Sequence, residues 1–313
     1  MMLGTNYPST QYLPPNDGKD ILLPVKNILI NANITFGNLE GSVLDSGGYP
    51  KSCKDPSKCY VFRMPTRYVN YLKDAGFDVV SNANNHAGDF GDIGRTSTMN
   101  TLKNAGIFYA GQTAMPYTTF EMEGIKYGFC AFAPNSGTMD IRNIAEAKKI
   151  VEHLDSISDI VIVSFHGGAE GGTHRHVTRN TEIFLGEDRG NVYNFSHTLI
   201  DAGADIIFGH GPHITRAVEL YKNRFIAYSM GNFCTYARFS LSGYAGVAPI
   251  IKLFVTKKGE FIKGQIYAIK QLGEGGPLID DSNKVIKEII ELTTSDFPET
   301  GLLIKETGEI SKK

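Results

Sequence analysis

The 313-residue chain carries a formal charge of −2, with 31 basic and 33 acidic residues interspersed, which argues against a nucleic-acid or membrane-surface binder, since either needs a basic face. Hydrophobic residues make up 42% and charged residues 20%, enough to bury a substantial core. No stretch approaches the ~18 to 20 apolar residues of a membrane span, and Met1 onward shows no basic-then-apolar export pattern.

In chain order, the first chemical feature is Phe36-Gly37-Asn38-Leu39-Glu40-Gly41, a short apolar strand ending in polar and glycine residues. Cys53 and Cys59 then bracket a polar loop short enough to close as a disulfide, and two free loop thiols are the alternative. No second half-site of the zinc-finger kind exists, and Cys130 reads as a buried small hydrophobe.

One pattern recurs three times: a helical stretch ends in Ala-Gly and an apolar strand follows. The instances are Asp74-Ala75-Gly76 before Phe77 to Val80, Asn104-Ala105-Gly106 before Ile107 to Tyr109, and Asp201-Ala202-Gly203 before Asp205 to Phe208. Gly supplies the left-handed cap, and alternating helices and strands imply βαβ units around a largely parallel sheet. A further strand, Ile160 to Phe165, follows an amphipathic helix from Ile144 to Leu154. Breaks at Glu123-Gly124, Lys222-Asn223 and Lys257-Lys258-Gly259 are hairpin signals, so the sheet is mixed or doubled. Past Gly273 the pattern predicts a loop, one helix near Val285 to Leu292, and a polar end. No linker separates domains: residues 1–271 are expected to form one unit, with 272–313 a C-terminal extension packed on it.

Ligands in open α/β sheets sit at the carboxyl ends of strands. Here such ends carry Asn38 and Glu40, Asn82 to His86, His166, and His210 with His213; a fifth, Tyr228 to Phe233, adds Asn232. Imidazole and oxygen donors without thiolate suit Mn, Fe or Zn in a hydrolytic site. Two divalent ions there would clamp both oxygens of an in-line displacement. Gly37, Gly209 and Gly211 would let the backbone approach the ions, and Pro212 would aim His210 and His213 at one locus. His153 and His197 read as solvated or core histidines, and Asn232 as a turn cap. His174, Arg175, His176 and Arg179 form either a solvated loop or an anion-binding rim.

The set NLEG, ANNHxxDFG, HGGAEG, GADIIFGHGPH and YSMGNF, in that order, resembles the bacterial capsule-synthesis family, also called CapA or poly-γ-glutamate synthesis proteins, of the metallophosphoesterase-like superfamily. The resemblance implies a four-layer α/β/β/α sandwich with mixed sheets and a dinuclear metal site at one edge. It implies metal-binding roles for Glu40, Asn85, His166, His210 and His213. It implies that His86 protonates the leaving group or steadies the attacked phosphorus, that Asp89 orients His86, and that Glu170 binds substrate or backs up a ligand; Arg175 and Arg179, on the rim reading, would bind substrate too.

Some features depart from the family pattern. Ala169 precedes Glu170 where relatives carry a Trp-containing loop, and Gly211-Pro212-His213 replaces His-Pro-His. The family opens on a strand ending in a metal-ligating Gly-Asp, and Met1-Met2-Leu3-Gly4 begins just past that Asp. A start assigned too far downstream is the favoured explanation over a lost strand; an upstream extension would leave room for an export signal and an extracytoplasmic location. The resemblance implies a metal-dependent hydrolase acting on a phosphoester or an anionic polymer, alongside other capsule-assembly proteins. The alternative is a non-catalytic polymer-binding or export accessory.

Overall fold

The structure, a computed structural model, describes residues 1–53 and 59–313. The tip of the Cys53–Cys59 loop, residues 54–58, lies outside the described residues, but the two cysteines are bonded, with Cα atoms 5.6 Å apart. Cys130 and Cys234 are free and buried. Among the described residues no helix is long and apolar enough to cross a membrane.

The fold is mixed α/β, built on two facing layers of sheet. In one layer, three short parallel strands pair in the order Phe36–Asn38, Val79–Ser81, Phe108–Ala110. The helices Tyr68–Asp74 and Gly91–Asn104 lead into the second and third of these through the expected Ala-Gly ends. Gly76 and Gly106 have φ of 95° and 68°, the left-handed turn that closes a helix. The second strand starts later than the sequence suggests, because Asp78 is held at its mouth: its N–H donates to Thr35 O and its Oδ2 accepts from Thr35 N.

The facing sheet has six strands, ordered Val218–Tyr221, Arg224–Ala227, Ile206–His210, Ile160–His166, Ile125–Phe132, Tyr117–Met122. Its inner four are parallel, and each edge is a hairpin turning at the expected break. Period-2 alternation sorts the side chains. Val161, Val163 and Phe165 pack outward on the helices Ile144–Ile157 and Val192–Asp201, in one core. Ile160, Ile162, Ile206 and Phe208 point inward, in a second core with Val79 and Phe36. Phe36 stacks on Phe208 with centroids 5.3 Å apart and planes 8° from parallel, joining the two layers. Helices cover the outer face of each layer, giving helix, sheet, sheet, helix in section.

A five-stranded antiparallel sheet, built on the hairpin Val247–Val255 and Phe261–Gln271, adjoins these layers. Here the polar C-terminal reading is corrected. Beyond the helix Lys284–Asp296, Leu302–Ile304 and Glu309–Lys312 are strands, and the latter pairs with Phe261–Gln271. Leu302 and Ile310 are the buried anchors, spaced too far apart to show periodicity in the sequence.

Candidate functional site

The parallel strands end together, and their registration sets the site. His210 is the pairing partner of His166, so both imidazoles continue the inward-facing rows of Ile206–Phe208 and Ile160–Ile162. His166 is fully buried, and among the described residues neither Nδ1 nor Nε2 has a hydrogen-bond partner; His210 Nε2 is likewise buried and unpartnered. Burial, the largest cause, pushes the pKa of His166 well below the ordinary imidazole range and that of His210 down to about 3, so both are neutral donors.

His213 follows Gly211-Pro212 in a left-handed conformation, φ 58°. Its Nδ1 is 3.0 Å from Asn232 Oδ1, its Nε2 3.6 Å from Glu40 Oε1, and its ring 6.2 Å from that of His166. Glu40 is itself placed by backbone pairing: its N–H donates to Met1 O, while Met2 bonds Cys234 and Tyr236 on the other side. Glu40 Oε1 is buried without a hydrogen bond among the described residues, as is Asn85 Oδ1. Asn84 ties the neighbouring strand ends, donating to Leu39 O at 2.8 Å and accepting from His86 N at 3.1 Å.

His86 Nδ1 lies 2.8 Å from Asp89 Oδ2, which also accepts from Phe62 N at 2.7 Å. Glu40, His166, His210 and His213 are thus gathered at one locus, and His86 with Asp89 forms a pair beside it. Glu170 lies 3.0 Å from Arg189. Arg175 and Arg179 are engaged away from these groups, Arg175 over the Tyr244 ring at 3.9 Å and Arg179 with Glu299 at 2.5 Å.

Gly209 and Gly211 are correct as glycines for a different reason from the one expected. A Cβ on Gly209 would lie 2.4 Å from Phe165 Cζ and from Tyr228 O; one on Gly211 would lie 2.8 Å from Gly167 O. Their space is taken by neighbouring strands, not left open toward an ion.

Several contributors carry no sequence signal. Lys51 reaches Asp89 from the segment just before the disulfide-closed loop, its Nζ 2.6 Å from Oδ1. Arg189 is buried and adds positive charge near His166. Phe62 packs on the His86 ring at a tilt of 40° and stacks on Phe239, and Phe239 meets the His213 ring edge-on, so two aromatics wall the site. Asn232, read as a turn cap, also fixes the His213 ring; its place in the YSMGNF strand end was the available clue. A cavity of about 570 Å³ runs between the sheets past Phe36, Ile162 and Phe208 and reaches Glu40, His210 and His213.

Among the described residues, no three His, Cys, Asp or Glu side chains are placed closely enough to grip an ion as they stand. The chemistry of the set nonetheless fits a divalent cation. Buried polar atoms are ordinarily paired, yet Glu40 Oε1, Asn85 Oδ1, both His166 nitrogens and His210 Nε2 are orphaned among the described residues. All are oxygen or neutral nitrogen donors, the kind borderline metals accept.

The family model described as bacterial capsule synthesis protein PGA_cap matches residues 1–237. The chain is 27% identical over 233 residues to a capsule biosynthesis protein CapA of Bacillus anthracis, covering 67% of this chain and 52% of that protein. It is 28% identical over 232 residues to a PGA biosynthesis protein CapA of Bacillus subtilis (strain 168), covering 67% and 55%. It therefore spans about half the length of the curated relatives it matches. Among solved structures it is similar to a hypothetical protein from Thermus thermophilus, with TM-score 0.46 and 17% identity over 83% of this chain and 91% of that one. Strand-end residues, motif order and family match coincide, and the chain belongs to the bacterial capsule synthesis protein PGA_cap family.

Proposed function

We propose that the chain is a divalent-metal-dependent hydrolase of phosphoester or related bonds that serves the making of an anionic surface polymer. The observation that carries this reading is the gathering of orphaned buried donors at the ends of adjacent parallel strands. Glu40, Asn85, His166, His210 and His213 would hold one or two ions of Mn, Fe or Zn. Such ions supply Lewis acidity toward a phosphoryl oxygen when bound.

The protein's own part is orientation and proton transfer. Asp89 accepts from the Nδ1 side of His86, which leaves Nε2 as the nitrogen that passes a proton to the leaving oxygen. Phe62, packed against the ring with centroids 4.4 Å apart, limits its movement. Glu170, Arg175 and Arg179 belong to the segment that follows His166; to meet an anionic substrate, Arg175 and Arg179 would have to leave Tyr244 and Glu299. Residues 1–271 carry this site, with 272–313 packed onto them. The capsule-related names of the relatives and the Cys53–Cys59 bond support a place outside the cytoplasm, where disulfides persist.

The test is metal analysis of purified protein together with hydrolysis of bis(p-nitrophenyl) phosphate by the wild type, His86→Ala and His166→Ala. Bound transition metal, turnover by the wild type, and loss in both variants are expected. Protein that stays folded, takes up no metal and turns nothing over sinks the reading.

A second reading, a non-catalytic binder of anionic polymer, draws on the relatives, which are named for capsule and PGA biosynthesis and not for hydrolysis. Polyglutamate retained equally by wild type and His86→Ala, with turnover in neither, would select it.

A further inference from the structure

Lys51 sits in a segment with no motif and no regular secondary structure, yet its backbone and its side chain both reach the surroundings of His86. Its backbone N–H donates to Asp89 O at 2.8 Å. Its side chain returns to the same residue, with Nζ 2.6 Å from Asp89 Oδ1. Nζ also donates to Asn85 O at 3.3 Å and lies 3.3 Å from His86 Nδ1.

These contacts divide the carboxylate in a definite way. Asp89 is completely buried, and its Oδ2 is occupied by His86 Nδ1 and Phe62 N. Lys51 supplies the counter-charge for Oδ1, which has no hydrogen-bond partner among the described residues and would otherwise be a bare buried anion. A carboxylate held from both sides cannot rotate about its χ2 bond, so Oδ2 stays aimed at the imidazole. Because Nδ1 donates to Asp89, it has no lone pair free for the ammonium. The ammonium pairs by charge with Asp89 Oδ1 and donates a hydrogen bond to Asn85 O. One side chain therefore fixes the partner of His86 and the backbone of Asn85, the residue just before it.

We infer that Lys51 is a positioning residue that locks the Asp89 carboxylate, and through it the ring of His86, in the orientation used for proton transfer. The kinetic consequence rests on the hydrolase reading; the geometric one does not. Lys51 touches no reacting atom in this assignment, so its loss acts on the chemical step and leaves substrate capture alone. Removing an orienting contact of this kind typically lowers activity about 10- to 100-fold.

The experiment compares Lys51→Met, Lys51→Arg and Asp89→Asn with the wild type, in full-length metal-loaded protein, after circular dichroism has shown each variant folded. On bis(p-nitrophenyl) phosphate, Lys51→Met is expected to lower kcat about 10-fold or more with KM within about twofold, and Lys51→Arg to restore most of it. The second readout needs no turnover. In ¹H–¹⁵N spectra of metal-free protein, the exchange-protected Nδ1–H signal of His86, assigned by its loss in His86→Gln, should vanish in Asp89→Asn. It should weaken or exchange faster in Lys51→Met and persist in Lys51→Arg. A wild type without turnover but with this pattern sinks the hydrolase reading and leaves the Lys51 assignment standing. A folded Lys51→Met whose His86 signal matches the wild type overturns the assignment, as does a loss confined to KM.

Discussion

Arg216 and Glu182 face each other across the underside of the loop that follows His166, both guanidinium ends engaged: Nη1 to Oε1 at 2.9 Å and Nη2 to Oε2 at 2.8 Å. Arg216 is wholly buried and Glu182 nearly so. The pair also holds the loop's backbone, since Arg216 Nη2 donates to Ala169 O and Glu182 Oε2 accepts from Ala169 N. Arg216→Met leaves a buried carboxylate without its counter-charge and should cost about 3–5 kcal/mol in urea unfolding. Arg216→Met with Glu182→Gln should recover part of that, because Gln is neutral and still accepts from Ala169. No recovery would mean the charge is not what destabilises the single variant.

His166 gives the clearest effect of metal removal. Two orphaned ring nitrogens in a fully buried side chain each cost about 1–3 kcal/mol in metal-free protein. His166→Leu should therefore be no less stable than the wild type in the presence of a chelator. Adding Mn²⁺ or Zn²⁺ should raise the melting temperature of the wild type and leave that of His166→Leu unmoved. Equal metal-induced shifts in the two proteins would remove His166 from the ion site.

The backbone of His213 makes its own prediction. At φ 58° an L side chain pays a steric penalty of roughly 1–2 kcal/mol that glycine escapes. His213→Ala and His213→Gly both delete the imidazole and its bond to Asn232, so they differ in little but this term. The glycine variant should be the more stable by about 1 kcal/mol in denaturant titration. If the alanine variant matched or exceeded it, the left-handed turn would not be imposed by the fold.

Asp205 predicts a pH dependence away from the metal locus. Burial, only partly offset by the bond from Val161 N and by Arg224 Nε at 2.9 Å, raises its pKa from 3.8 to about 6, with Asp155 adding like charge. A carboxyl whose folded pKa is raised binds its proton more tightly folded than unfolded. Its contribution is therefore greatest below about pH 4, declines as pH rises to about 6, and is flat above. Relative to Asp205→Asn, which keeps an acceptor for Val161 N, the wild type should lose about 3 kcal/mol across that window. Parallel stability curves for the two proteins would contradict the raised pKa.

Much of the architecture was legible because its signals are local. Ala-Gly helix ends, hairpin breaks at Glu123-Gly124 and Lys222-Asn223, and apolar runs closing on His166 and His210 each depend on residues a few positions apart. What stayed hidden depends on pairings between distant segments. Lys51 is one lysine among many until the loop folds it onto Asp89. Arg216 and Glu182 are 34 positions apart, with nothing in either neighbourhood to mark them as partners. The strands Leu302–Ile304 and Glu309–Lys312 are short and half-exposed, too weakly patterned to announce themselves. The glycines were found for the wrong reason, because sequence shows that a side chain is missing and only packing shows what fills the gap.

The pairing of Glu309–Lys312 with Phe261–Gln271 sets an order of events during synthesis. A growing polypeptide exposes its earlier hairpin, Val247–Val255 with Phe261–Gln271, well before the ribosome releases the stretch that closes it. Until then one rim of that hairpin offers bare amide and carbonyl groups to any passing strand. Folding is therefore most vulnerable to clumping in the interval between the emergence of this hairpin and that of Glu309–Lys312, and a chaperone that shields that rim should raise the yield of native molecules.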